Sequence, residues 1–327
     1  TLEIGSASGT GTATINVQNS GVVSTGAGTT TINATGTVNV GLVGNGTFNA
    51  NGAVNVDGGT LHVDGLNDFN LAAGQLLTAA NDAQLNFNSG LVLDDGTTYE
   101  INAGADLVAE TFTIGQSSGS GTLIVDGLDS TVTSTAASGT ISTWGAFGET
   151  ADVTFRNSAQ GDLRGIRFGL NSGEGTLAVE SGATLTTEDL LLADIGGSAT
   201  ADVTVDGAGS TLSQTGTSTR VIGSPTGTGS ATINIQNDGT LNTGTGTTTL
   251  DTNGIVNLSG GALNATTIDH THGGQFNFTG GVLSVEQFSG NLINQGGTVA
   301  PGASAGSTTV VGDFTMQAGS ALEIEVG

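Results

Sequence analysis

The sequence predicts an all-β protein, a right-handed parallel β-helix (β-solenoid) with roughly 24–30 residues per coil. Three observations predict it. A block of thirty-six residues recurs: 5–40 and 223–258 match at roughly 21 of 36 positions at one constant offset. A shorter phrase, two apolar residues separated by one and preceded by a small-residue turn, appears throughout: "ATINV" (13–17), "GTLIV" (121–125), "ADVTF" (151–155), "GTLAV" (175–179), "ADVTV" (201–205) and "ATINI" (231–235). Helix signals are nearly absent, because Gly interrupts every window and Thr, Val and Ile favour strands.

Between Leu123 and Ile233 the apolar anchors stand about 24 to 30 residues apart, within the range of stacked repeats. Most anchors are followed by a polar turn ("VDGLDS", "VESGAT", "IQNDGT") and preceded by a second apolar strand ending in Gly ("FTIG", "IRFG"). Alternation with period two, bounded by Gly, Asn and Asp, marks short strands. A propeller blade needs roughly 40 residues and aromatic markers that are missing. A sandwich does not require coil-by-coil similarity, whereas a β-helix does: each coil sets like residues over like. Inward Val, Ile and Leu then form columns, and outward Thr, Asn and Ser form ladders. Roughly 12 coils at about 4.8 Å each give a rod of about 58 Å. Gly and Asn supply the positive φ of the corners. The stretch "FNLAAGQLLTAANDAQLNF" (69–87) is the one candidate for a helix, and the similarity is weakest over about 66–110. The chain divides into solenoid repeats (1–295) and a closing coil with a possible subunit-contact strand (296–327).

Composition narrows the partners. Of 327 residues, 57 are Gly and none is Cys; the net charge is −25, and all four basic residues are Arg (156, 164, 167, 220). Such a surface repels phosphate, which argues against nucleic acid and acidic membranes. No stretch has the length of an apolar membrane span, so membrane insertion is not expected. With no initiator Met and no leader pattern, the chain reads as processed or trimmed. Zero Cys excludes disulfides and thiolate metal sites.

The segments "FTIGQSSGSGTLIVDGLDSTVTS" (112–134) and "VIGSPTGTGSATINIQNDGTLNT" (221–243) resemble repeats of bacterial type V secreted (autotransporter) passengers and of PEP-CTERM-associated surface proteins. The tail "GGTVAPGASAGSTTVVGDFTMQAGSALEIEVG" (296–327) is similar to the segment that often closes such passengers. The resemblance implies a β-solenoid exported to the bacterial surface or beyond, among adhesins and matrix or stalk components.

Candidate chemistry is sparse, and no catalytic, cofactor or metal residue is assigned. Asp94–Asp95 and Glu188–Asp189 are adjacent pairs whose members face opposite ways on a strand and sit beside turns, where Asp serves local hydrogen bonding. His270 and His272 would share a strand face and could pair on a metal, with Asp269 pointing away. The cluster "FRNSAQGDLRGIRFG" with Arg156, Arg164 and Arg167 suits either a docking patch or neutralisation of local carboxylates. Tandem Ca²⁺-binding nonapeptides and EF-hand loops are missing, so Ca²⁺ enters only as a weak ligand of turn acids or subunit contacts. Thr-x-Thr does not recur coil after coil, which argues against an ice-binding face. Adhesion predicts a loop insertion or aromatic cluster projecting from the rod, at which only Trp144–Phe147 and the irregularity over 66–110 hint.

Neither terminus reads as a cap. "TLEIGSASG" and "GSALEIEVG" would each present open backbone edges and a section of apolar core, with only Glu3, Glu323 and Glu325 as nearby acids. The expected function is an extracellular structural protein, the rod or head-to-tail filament subunit of a bacterial fibre, coat or matrix. The alternative is an adhesin-type passenger binding a glycan or host surface; an enzyme is not expected.

Overall fold

A computed structural model of the chain describes residues 1–116, 118–193, 197–217, 220–301 and 306–324. It is all-β, with parallel coils stacked into a β-solenoid of about 13 turns. Each coil crosses three faces in order. The first face carries Leu2–Ile4, Thr30–Asn33 and Val54–Asp57; the second carries Ala13–Val17, Gly36–Val40 and Thr60–Val63; the third carries Gly21–Ser24, Gly46–Ala50 and Phe69–Leu71. Later coils continue the pattern, and the longest strands, Gly254–Asp269 and Gln275–Ser289, bend across all three faces.

Register makes the core. On the first face one column runs Ile4, Ile32, Val56, Ala79, Ile101, Val125, Phe155, Val179, Val205, Ile235, Leu258, Phe278, each over the last. Every member is buried. Because side chains alternate with period two, a one-residue slip would turn the whole column out to solvent, so burial enforces the register. The next position in the column is Asn294, fully buried between Phe278 and Met316. Its carboxamide is satisfied locally: Oδ1 accepts from the Gly296 and Gly297 amides (3.2 and 2.8 Å) and Nδ2 donates to the Gly297 carbonyl (2.9 Å).

Outward positions form the expected polar ladders. Asn39 donates to Asn16 at 2.8 Å; Asn277 donates to Asn257, which donates to Asn234, each at 2.8 Å. An in-register amide passes its second bond to the next coil, so these ladders reinforce the same register as the core.

Coil length varies more than expected. Leu123, Val153, Leu177, Val203 and Ile233 stand over one another as predicted, but Ile255 lies over Gln275, a coil of 20 residues. The duplicated module also sits on two different faces. Its Ala13–Val17 copy lies on the second face, and the equivalent Ser230–Gln236 lies on the first. The three faces therefore ask for the same local sequence: an alternating strand and a corner.

Two corner glycines show why Gly recurs. A Cβ on Gly36 would lie 2.2 Å from the Ile4 carbonyl oxygen, and one on the equivalent Gly254 would lie 2.0 Å from that of Ile222. The 69–87 segment forms three strands, Phe69–Leu71, Leu76–Ala80 and Gln84–Phe87, rather than a helix. Gly74, Asn81 and Asp82 adopt positive φ there and fold the chain at corners, which a helix cannot accommodate.

Candidate functional site

The wall of the solenoid opens once among the described residues. The third face is a continuous ladder from Gly21–Ser24 to Phe69–Leu71 and again from Leu91–Leu93 onward, but Phe69–Leu71 and Leu91–Leu93 do not pair. The corner leading into the third face shortens here, from residues 64–68 to residues 88–90. A closed turn shapes the longer corner: the Gly65 amide donates to Asp68 Oδ2 (3.0 Å) and the Asp68 amide donates to the Gly65 carbonyl (3.2 Å). The seam is sealed at both ends. The Asn88 amide donates to the Val63 carbonyl (2.9 Å), and the Gly74 amide donates to the Asp95 carbonyl (2.8 Å).

Between those seals lies a cavity of about 340 Å³. Asn67, Asn70, Asp94 and Asp95 bring polar groups to it, and Phe69, Leu71 and Val92 bring apolar ones. Phe69 and Leu71 face inward yet remain partly exposed, whereas Phe48 and Ala50 above them and Leu91 and Leu93 below are buried. Phe69 is held from behind, stacked on Phe48 (5.9 Å between ring centres) and edge-on to Phe87 (6.3 Å). Tyr99 lies at the base, its phenol pushed above the ordinary range by burial. Asp94 accepts the Gln116 amide (2.7 Å), and Asp95 adopts φ 57° at the rim.

The other carboxylate pair is structural. Glu188 accepts the Gly139 amide (2.9 Å) and Arg164 Nη1 (3.2 Å), so it ties the 135–140 loop to a coil further along the rod. The Gly139 amide, followed by the hydroxyl of Ser138 and the Arg164 charge, holds its carboxyl below the usual range despite opposing desolvation. Asp189 turns the other way, with Oδ1 buried, and its charge acts on Arg220.

The histidines do not meet on a metal. The strand ends at Asp269, so His270 and His272 lie on a turn rather than on one strand face. His270 Nε2 bonds the Gly274 carbonyl oxygen (2.9 Å), while His272 contacts Asp251 (3.1 Å) and Asp269 (3.5 Å). Asp269 therefore faces His272 instead of pointing away; it also accepts from the Thr271 hydroxyl and amide, the bonds that chiefly lower its pKa. Among the described residues no three of His, Cys, Asp and Glu converge to hold a metal ion.

Two members of the arginine cluster neutralise carboxylates: Arg156 pairs with Asp126 (2.9 Å) and Arg164 with Glu188. Arg167 stands in register between Thr143 and Leu191 on the third face. Trp144 does not project. It is fully buried, donates from Nε1 to the Phe112 carbonyl (3.1 Å) and meets Phe168 edge-on at 4.9 Å. Phe147 is exposed, at a corner with φ 56°.

Sequence reasoning missed the fourth arginine. Arg220 is buried in the core, bonded to Gln214 and to Thr248 Oγ1 (3.4 Å). The signal was present, since alignment of the two modules sets Arg220 on Leu2.

In the first and last described coils the core is partly open. Phe314, Met316, Leu322 and Ile324 in the last described coil are exposed, and Leu2, Ile15 and Val23 in the first are only partly buried. Glu3 and Glu323 lie in these coils; Glu325 lies outside the described residues. Among the described residues no helix is long and apolar enough to cross a membrane.

Fold and surface together define a repeat protein of the parallel β-solenoid class. No protein-family model, curated protein or solved structure matches the chain.

Proposed function

We propose that the protein is an extracellular structural rod of a bacterial fibre, surface coat or matrix, and that copies stack end to end. The observation that carries this reading is the unbroken stack of parallel coils, in whose last described coil inward positions of the first and second faces remain exposed. Phe314 lies beneath Leu292 and Leu322 beneath Val299, both exposed, while on the third face Val310 beneath Phe288 is half-buried. A parallel coil ending in this way offers both strand edges and apolar side chains to another β-coil. The occupant to which we commit is the first coil of a second copy, whose Leu2, Ile15 and Val23 continue the same columns. Head-to-tail contacts of this kind do not close and build fibres. Few acids lie at the ends, so the large negative charge of the sides does not oppose the contact directly, and divalent cations would screen the rest.

The resemblance to autotransporter passengers and PEP-CTERM-associated proteins supports export and a surface location. Sedimentation of the protein against Phe314→Asp and Ile324→Asp variants tests the reading. Assembly that grows with concentration and disappears in the variants supports it; a monomer at every concentration overturns it.

A second reading, an adhesin-type rod that binds a glycan, draws on a different observation: the open seam between Phe69–Leu71 and Leu91–Leu93.

A further inference from the structure

We infer that the seam is a binding pocket for a neutral or amino sugar, one terminal or branch residue of a glycan. This rests on the adhesin-type reading and is independent of end-to-end stacking.

The backbone presents unspent hydrogen-bonding groups to the seam. In a parallel ladder, alternate residues send both peptide groups to the same side. The Phe48 amide donates to the Asp68 carbonyl and the Ala72 amide to the Ala50 carbonyl, so residues 68 and 72 face the strand above. Phe69 and Leu71 then aim their N–H and C=O at the seam. Across it the Leu91 amide donates to the Thr111 carbonyl and the Gly115 amide to the Leu93 carbonyl, which turns Val92 toward the seam. Fixed donors and acceptors therefore look into the cavity from both sides, where every neighbouring coil spends them on its ladder.

The cavity also mixes apolar and polar surfaces. Phe69 and Leu71 are core-facing side chains left partly open, at a cost that a ligand's apolar face would offset. Asn67, Asn70, Asp94 and Asp95 surround them with amides and carboxylates. A pyranose offers both halves at once: a C–H face for Phe69 and Leu71, and a ring of hydroxyls for the polar groups. At about 340 Å³ the cavity is in the range of small-ligand sites.

Charge and shape then select within the class. Asp94 and Asp95 sit at one end of the pocket on a chain of net charge −25, which repels uronic, sialic and phosphorylated sugars and favours hydroxyls or an ammonium. The hydrogen bonds that seal both ends of the seam stop a polymer from threading through it. That closure disfavours an extended peptide added as a strand and leaves room for a single terminal residue.

The test is saturation-transfer NMR on the whole chain with methyl glycosides of neutral hexoses and of hexosamines, with methyl glucuronide and sialic acid as acidic probes. Two variants accompany it: Val92→Trp, which fills the cavity from an exposed position, and Asp95→Asn, which keeps a residue suited to positive φ. Both change surface positions, and far-ultraviolet circular dichroism establishes that each is folded. The expected result is transfer from at least one neutral or amino sugar, abolished by Val92→Trp and weakened about tenfold by Asp95→Asn. Transfer that survives Val92→Trp overturns the pocket and leaves the adhesin-type reading standing on another surface. Equal transfer from the acidic probes overturns the assigned class. No transfer from any probe overturns the pocket and the adhesin-type reading together.

Discussion

Arg220 and Thr248 hold, inside the core, the places that Leu2 and Thr30 hold in the other copy of the module. The registers are equivalent, Arg220 over Thr248 and Leu2 over Thr30. The Thr30 hydroxyl is buried without a hydrogen-bond partner, whereas Thr248 Oγ1 accepts from Arg220. Burial pulls the Arg220 pKa down to about 10, against the opposing charge of Asp189. Where one copy has Leu2, the other puts the charge of Arg220 into the core, and Gln214 bonds it there. Arg220→Leu alone should destabilise the rod by about 3–5 kcal/mol, because the Gln214 carboxamide and the Asp189 charge lose their partner. Adding Gln214→Leu should recover part of that loss. Urea unfolding of the two variants measures it; equal stability of wild type and the single variant would contradict the account.

Trp144 is the only tryptophan and fully buried, so its emission reports the middle of the rod. Trp144→Phe removes the bond to the Phe112 carbonyl and leaves a void beside Phe168. A loss of about 2–4 kcal/mol follows from the cavity and the unpaired carbonyl. In the wild type, tryptophan fluorescence and circular dichroism should report the same denaturant midpoint if the central coils unfold as one unit.

Tyr99 is the only tyrosine, which makes its ionisation visible at the phenolate absorption band. Burial raises its pKa, so near pH 10 the unfolded chain releases the phenol proton while the folded chain retains it. The unfolded state then binds fewer protons, and Tyr99 lowers stability as pH rises above about 10. The expected outcome is a phenolate signal that appears together with loss of β-structure. A phenolate signal at ordinary pH in a folded rod would show Tyr99 to be solvated.

Glu188 has the opposite sign. Its pKa is depressed in the folded state, so its tie to Gly139 and Arg164 is fully present above the ordinary carboxylate range and lost as pH falls through the folded value. Hydrogen-exchange protection of the Gly139 amide should therefore fall on acidification. Glu188→Gln should flatten that dependence, and an unchanged profile in the variant would remove Glu188 from the loop's support.

Glycine positions separate into two kinds. Gly121→Ala puts a methyl group 2.0 Å from the Leu93 carbonyl oxygen of the preceding coil, and should block folding of those coils or cost about 3 kcal/mol or more. Gly26→Ala meets nothing within 4 Å at a negative φ and should be close to neutral. Thermal melts of the two variants distinguish a stacking constraint from general flexibility.

The solenoid was legible because its constraints repeat. Ile15 and Val38, or Leu123 and Val153, announce their columns in any copy. Repetition also showed where a copy departs from its neighbours, over about 66–110, but not what the departure builds. The seam depends on how the 64–68 and 88–90 corners place Phe69 and Leu91, a comparison of two irregular segments with no shared pattern. The same residues that suggested a helix at 69–87 build the strands beside it. Arg220 was legible only by setting one module on the other, and the role of Asp269 only once the turn at His270 was known.

The most direct measurement is negative-stain electron microscopy of the purified chain, in EDTA and then in millimolar Ca²⁺. The account predicts unbranched fibres of constant width built from units about 60 Å long, about 13 coils at about 4.8 Å each, and fewer of them for Phe314→Asp. Isolated short rods in both conditions would contradict end-to-end stacking.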